Sequence, residues 1–363
     1  MKMYSVGVVG SGFMGKAHTY AYKAIPFFYG TLPIGVHLRA ICSLPIEDAQ
    51  KAAGDYGYEI ATADLDEFFD SGLDIVHVCA TNEIHKPIVV EALNRGIHIY
   101  CEKPLADSYE AAMEIREALK GSQSIGQIGF HSRFYPCTIR AKEILESGRL
   151  GGTLGFKMRY FTMNRLEGTA SPNALASGTV IDLSPHLLDM ARFLLGDFAS
   201  LIGDMQYLNP TDPQRTEDAF FAIVKMKNGA EGIIEASKIA QGANNDFTVE
   251  IYCEKGALKF DIENPDWLLC YDANDKPGPY GGDRGFKRIE CFNRYPMRRF
   301  PSPRHSPGWL GGHLHSIYNF LCAVRDQVPA SPSLSDGVYV QMVMEKIQES
   351  AKTKNWVYLP QNT

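Results

Sequence analysis

The feature that most constrains this chain lies at its start. An apolar run at residues 6–9 meets Gly10-Ser11-Gly12-Phe13-Met14-Gly15, and a helical pattern follows from 15 to 23. Glycines in this order have separate duties. The first permits a tight turn, the second lets backbone approach a pyrophosphate, and the third lets the helix pack closely on the strand. The helix N-terminus then offers amide N–H groups to phosphate. A strand–glycine loop–helix unit opening an alternating chain predicts a dinucleotide site over Gly10, Gly12, Phe13, Met14 and Gly15.

The alternation continues. Strand-like runs at 38–43, 74–80 and 97–101 are separated by helical stretches at 46–56, 64–69 and 86–95, the last stopped by Gly96. Strand–helix alternation implies crossover connections and a parallel sheet. The strands are mostly apolar, as a sheet covered on both faces requires. After about residue 150 the character changes. Runs at 217–226, 229–237, 247–253 and 257–261 are strand-like, with Asn228-Gly229 and Lys255-Gly256 at two joints. Such turns favour hairpins and hence antiparallel pairing. Helices are expected at 182–195, 314–326 and 336–352, and loops across 272–307. The chain therefore reads as α/β: an N-terminal Rossmann domain over 1–128, and a C-terminal α+β domain with a large, mostly antiparallel open sheet over 129–363.

A length of 363 residues agrees with two domains. A net charge of -6, with Lys and Arg scattered apart from a run at 294–299, gives no nucleic-acid footprint. No stretch approaches the roughly 20 apolar residues of a membrane span, and the N-terminus lacks a signal-peptide pattern. The eight cysteines occur singly, with no Cys-x-x-Cys pair. That usage suits reduced, buried thiols and predicts a cytoplasmic protein.

The second strand ends Ala40-Ile41-Cys42-Ser43, with Ser43 where a carboxylate commonly meets the ribose of NAD. A carboxylate facing a 2′-phosphate at 4 Å would cost on the order of 4 kcal/mol, so its absence admits NADP. Leu44-Pro45 follows without an arginine to clasp that phosphate. NAD and NADP both stay open. The aromatic segment at 25–30 lengthens the interval before this strand and reads as an insertion.

Three further motifs carry a family resemblance: Thr81-Asn82-Glu83-Ile84-His85, Cys101-Glu102-Lys103-Pro104-Leu105 and Asp182-Leu183-Ser184-Pro185-His186. With the glycine loop they resemble the Gfo/Idh/MocA oxidoreductases, which include glucose-fructose oxidoreductase and inositol dehydrogenase. The likeness spans nearly the whole chain. It implies hydride transfer between a nicotinamide and a secondary hydroxyl or carbonyl of a sugar, inositol or related polyol. It also implies a homodimer or homotetramer formed through the C-terminal sheet. Lys103 would sit between nicotinamide and substrate, with a candidate cis bond to Pro104. Thr81, Asn82, His85 and Glu102 would line the cofactor, although His85 could equally cap its helix.

Removing hydride from a carbinol requires its hydroxyl proton to leave, so a base is needed near neutral pH. His186 takes that role. Asp182, four residues earlier and on the same face if the helix has begun, would orient it. Lys103 would stabilise the developing oxyanion. Arg133, Asn164 and His313 are candidate substrate contacts, with His305 and His315 behind His313. His18, His37, His77 and His98 read as satisfied structural residues, and no metal is expected. Two alternatives share the motifs: a glycosidase using NAD transiently, and a nucleotide- or sugar-sensing regulator. The latter tends to lose the lysine or histidine, and here both are present.

Overall fold

The computed structural model describes residues 3–167, 177–208, 216–292, 294–295, 297–302 and 304–360. Of the segment 165–179, which departs from the glycine-rich run of the family, residues 168–176 lie outside the described residues, as do 293, 296 and 303 of the 272–307 stretch. The chain forms two compact units. The first comprises Met1–His131, Met297–Pro303 and Leu310–Gln341; the second comprises Ser132–Pro296, Arg304–Trp309 and Met342–Thr363. The first division falls beside the expected cut after 128, but the return of 310–341 to the first unit has no counterpart in a single cut. Its cause is visible in that unit's packing. Tyr318 stacks on Tyr29 at 3.8 Å, and Ser316 bonds both Tyr100 and Gln127.

The first unit holds β1 (Met3–Val9), β2 (Gly35–Cys42), β3 (Ile60–Thr62), β4 (Ile75–Val78), β5 (His98–Cys101) and β6 (Gly126–Ile128). Their order is β3-β2-β1-β4-β5-β6, with every pair parallel. Parallel neighbours cannot be joined by tight turns, so each crossover is a longer segment. All five are helical: α1 (Phe13–Tyr29), α2 (Ile46–Tyr56), α3 (Leu65–Asp70), α4 (His85–Asn94) and α5 (Tyr109–Leu119). All four residues of β4 are buried, as expected for a strand covered on both faces. Strand order reverses between β1 and β4. Open sheets of this kind bind ligands at the carboxyl ends of the strands beside that reversal.

The 25–30 segment forms the end of α1, which runs through Pro26 to Tyr29 and stops at Gly30. Proline removes one helix hydrogen bond. Burial of Ile25, Phe28 and Tyr29, and the bond of the Tyr29 hydroxyl to His315 Nδ1 at 2.6 Å, offset that loss.

The second unit is built on nine strands: β7 (Thr153–Phe161), β8 (Phe198–Gln206), β9 (Ala219–Met226), β10 (Glu231–Ser237), β11 (Asp246–Cys253), β12 (Gly256–Asp261), β13 (Trp267–Asp272), β14 (Lys287–Glu290) and β15 (Val357–Tyr358). Their order is β14-β13-β12-β11-β7-β10-β9-β8-β15, and only β7–β10 is parallel. β14 lies within the stretch read as loops. Burial alternates residue by residue along β11, the mark of a sheet with one face packed. On the other face Phe221, Ile223 and Ile233 are exposed. All eight cysteines are free thiols. Among the described residues no helix is long and apolar enough to cross a membrane.

Candidate active site

The glycine loop joins β1 to α1, and its three glycines meet three different surroundings. Gly10 has φ +98°, and a Cβ there would lie 2.4 Å from the Cys79 carbonyl oxygen. A Cβ on Gly15 would lie 1.9 Å from the Gly10 oxygen, so this position is where helix and loop close on each other. A Cβ on Gly12 would meet nothing within 4 Å. The middle glycine therefore faces open space. It also caps α1 without any side-chain bond to the first-turn amides. An open backbone at an uncapped helix N-terminus is what a pyrophosphate needs, so these residues fit a dinucleotide. Phe13 is exposed and Met14 half-buried beside the loop. The Ser11 hydroxyl bonds the Ser43 hydroxyl at 2.8 Å, which ties the end of β2 to the loop. Neither Ser43 nor the exposed Leu44 offers charge.

β4 is followed by a single turn at Asn82–Ile84, with Thr81 and Asn82 half-buried. His85 is buried. Its Nδ1 lies 2.8 Å from the Pro104 carbonyl oxygen and its Nε2 3.1 Å from that of Ala80. Burial lowers its pKa against the pull of these carbonyls. Through these contacts the ring links the Lys103-Pro104 turn to the end of β4. His85 thus braces the turn, and its ring does not cap the helix it opens.

Glu102 and Lys103 follow β5 directly, and the Lys103–Pro104 bond is cis. Glu102 is 5% exposed. Its Oε1 lies 3.0 Å from His18 Nε2, and the Lys103 N–H donates to its Oε2 at 3.3 Å. Burial opposes ionisation of this carboxyl. The hydrogen bond from His18, with the Lys103 charge, outweighs burial and holds its pKa below the ordinary value. His313 is buried in the same cluster and stacks on His131 at 3.8 Å. Of the other histidines read as structural, His37 is half-buried with its Nε2 4.0 Å from Glu59, and two are buried or bonded within the sheet. His77 is bonded by Tyr22, and His98 Nδ1 accepts from the Ile125 N–H.

In the second unit Ser237 pairs with both Phe161 and Ala219, so the ends of β7 and β10 and the start of β9 share one end of the sheet. The residues just beyond these strands collect there. Asn164 opens a short helix, Asn164–Glu167, and is half-buried. Asp182 ends the helix Thr179–Asp182, and His186 lies in the first turn of Ser184–Leu195, with Pro185 inside that turn. A single residue, Leu183, separates the two helices and itself has helical angles. The four-residue spacing of Asp182 and His186 is thereby kept on one winding. His186 packs edge-on against Tyr160, its ring 5.9 Å away.

Two charged groups at this end escaped the sequence reading. Lys238 is 1% exposed and pairs with Asp182 at 2.9 Å while donating to the Ser177 carbonyl. Glu217, also buried, accepts from the Val180 N–H at 2.8 Å and so anchors the helix that carries Asp182. No spacing rule marks either residue. The only signal is a lysine directly after an apolar strand. Arg133 differs from expectation. It is buried, forks onto Asp189 at 2.9 and 3.1 Å, and lies over the Phe193 ring. An arginine committed in this way holds the helix Ser184–Leu195, and the substrate-contact role expected for it is set aside.

The first unit is thus a dinucleotide-binding domain, and comparison with known proteins agrees. Residues 4–130 match the family model described as oxidoreductase family, NAD-binding Rossmann fold, and residues 142–359 match that of its C-terminal alpha/beta domain. The chain belongs to the Gfo/Idh/MocA family of oxidoreductases. Levoglucosan dehydrogenase of Pseudarthrobacter phenanthrenivorans is 30% identical, with 99% of each chain covered. Inositol 2-dehydrogenase of Rhizobium meliloti is 22% identical over 97% of this chain and 98% of the relative. Among solved structures, levoglucosan dehydrogenase in complex with NADH and levoglucosan superposes with a TM-score of 0.92 at 30% identity, covering 99% of this chain and all of the other.

Proposed function

We propose that this protein is an NAD-dependent dehydrogenase that oxidises a secondary ring hydroxyl of a sugar or cyclic polyol, with anhydrosugars such as levoglucosan the first class to try. The observation that carries the reading is the Glu102-Lys103-Pro104 turn. Lys103 follows the carboxyl end of a central parallel strand, where such sheets bind ligands. Its neighbours on either side are held, Glu102 by His18 and Pro104 by His85.

NAD, when bound, supplies the acceptor for the hydride leaving the carbinol carbon. Gly10, Gly12 and Gly15, with the first amides of α1, would hold its pyrophosphate, and Ser43, Thr81 and Asn82 would line its path. The Lys103 ammonium donates a hydrogen bond to the reacting oxygen and stabilises the negative charge that grows there. The His186 imidazole takes the hydroxyl proton. The Asp182 carboxylate, fixed by Lys238, favours the protonated ring that results. The substrate's remaining hydroxyls fall to Asn164 and His313. The exposed apolar strip of Phe221, Ile223 and Ile233 is the surface through which copies of the chain would pair.

A panel of anhydrosugars, inositols and hexoses, followed by nicotinamide absorbance with NAD and NADP, tests the reading. Reduction of NAD by at least one of these substrates is expected. His186→Ala should cut turnover by about 10²–10⁴-fold while NADH still binds. Full turnover in that variant would remove His186 from the chemistry, and silence across the panel would overturn the substrate class.

A further inference from the structure

Behind the Glu102-Lys103 turn lies a line of buried polar side chains that the chemistry above does not use. The Tyr22 hydroxyl is 2.7 Å from His77 Nε2, His77 Nδ1 is 3.0 Å from His18 Nδ1, and His18 Nε2 is 3.0 Å from Glu102 Oε1. His18 and His77 are fully buried.

We propose that His18 and His77 are positioning residues: with Tyr22 they form a hydrogen-bond relay, directed from Tyr22 through His77 and His18 to Glu102, which fixes the Glu102 carboxylate as an anion against the Lys103 N–H. The proposal rests on the catalytic reading of Lys103.

One direction satisfies the whole line with both rings neutral. A carboxylate only accepts, so His18 Nε2 carries the hydrogen. A neutral His18 then has a lone pair on Nδ1. Two groups point hydrogens at it: His77 Nδ1, and the Cys79 thiol at 3.1 Å, which burial keeps protonated. With its hydrogen on Nδ1, His77 has a free lone pair on Nε2, and the Tyr22 hydroxyl fills it. Every hydrogen in the line then has an acceptor, with His18 Nδ1 shared by His77 and Cys79 and one net charge at the end. The reverse direction makes His18 an imidazolium paired with Glu102 and puts its Nδ1 hydrogen against the thiol, and this is the state the test below separates from the relay. Burial also lowers the pKa of His77, which keeps that ring neutral.

Packing leaves the line little freedom. Tyr100 meets His18 edge-on at 5.0 Å and stacks on His77 at 5.1 Å. A Cβ on Gly129 would lie 2.6 Å from Glu102 Oε1, so that position has room for the carboxylate only because it lacks a side chain. The groups facing Glu102 are His18, His131, Lys103 and, within the same cluster, His313. His18, Glu102 and His313 also offer ligand atoms within 4.8 Å of one another, a donor set that a divalent cation could take. A cation there would claim the His18 Nε2 lone pair, where the relay places a hydrogen.

Imidazole 15N NMR of histidine-labelled holoprotein, assigned with His18→Gln and His77→Gln, reads the relay without any assay of turnover. The expected result is hydrogen on Nε2 of His18 and on Nδ1 of His77, unchanged when zinc is added. Hydrogen on His18 Nδ1, or a zinc-dependent shift of the His18 signal, overturns the relay. In turnover, His18→Phe should lower kcat by about 10²-fold, as expected of a misplaced catalytic group, with KM little changed. Its kcat should also fall at a higher pH than in the unaltered protein, because Glu102 loses the donor that keeps it ionised. His18→Gln restores a donor and should recover both. A loss that Gln does not recover, with an unmoved pH profile, would reduce His18 to a packing residue and overturn the role. If no carbohydrate is oxidised, the dehydrogenase reading fails while the tautomers still decide the relay.

Discussion

The two units bury polar groups at similar depth but in opposite ways. In the first, the groups behind Lys103 are neutral rings around a single carboxylate: His77 lies within β4, His85 opens the helix after it and His131 follows β6, and burial holds their pKa values down. In the second, the sheet end that carries Asp182 and His186 is held by ion pairs, Lys238–Asp182, Arg165–Asp218 and Arg133–Asp189. The contrast teaches what each site asks of its frame. A surface that receives an anionic dinucleotide beside a lysine gains from one fixed negative charge and little else. A site that orients a base tolerates charges, provided each has its partner.

The largest effect that would break this comparison is loss of one ion-pair member. Asp189→Ala leaves the Arg133 guanidinium buried without its carboxylate and should cost the second unit about 3–5 kcal/mol. Thermal denaturation measures it. Replacing Arg133 and Asp189 together by apolar residues of similar volume should recover most of that loss. A single variant as stable as the parent would show that the pair is not what holds the helix Ser184–Leu195.

A smaller and more selective effect comes from pH. Burial pushes the imidazoles of His131 and His315, both in the first unit, down to about 4. The unfolded chain binds protons at these rings more readily than the folded one between about 6.5 and 4. Stability is therefore complete above the unfolded value and is lost as pH falls, by about 3 kcal/mol for each ring at the lower end. Hydrogen exchange at pH 7 and pH 5 should show β1, β4 and β5 losing protection before β7 and β10. Simultaneous loss, or loss from β7 and β10 first, would contradict the division into neutral and ion-paired frames.

The sequence made some of this legible and not the rest, for physical reasons. The glycine loop could be read because each glycine answers a local demand of a strand–turn–helix joint. Lys103 could be read because a short motif fixes it at a strand end. The end of α1 could not: Pro26 signals a break locally, and only the distant Tyr318 and His315 show why the helix continues. Arg133 was misjudged for the same reason, since Asp189, its partner, lies on another helix. Lys238 and Glu217 left no periodic trace, because a buried charge is defined by a partner far along the chain. His18 and His77 were rightly read as satisfied, but the direction of their bonds appears only when Glu102, Cys79 and Tyr22 are placed around them. The strands β3, β6 and β15, two or three residues long, are too short to carry a pattern.

The account's central claim is direct transfer of a carbinol hydrogen to a nicotinamide held by the first unit. Levoglucosan deuterated at its ring carbinol carbons, incubated with NAD and the protein, tests it by mass spectrometry of the reduced cofactor. The account predicts deuterium on the nicotinamide ring of the NADH formed. Reduced cofactor that carries only solvent hydrogen would contradict it.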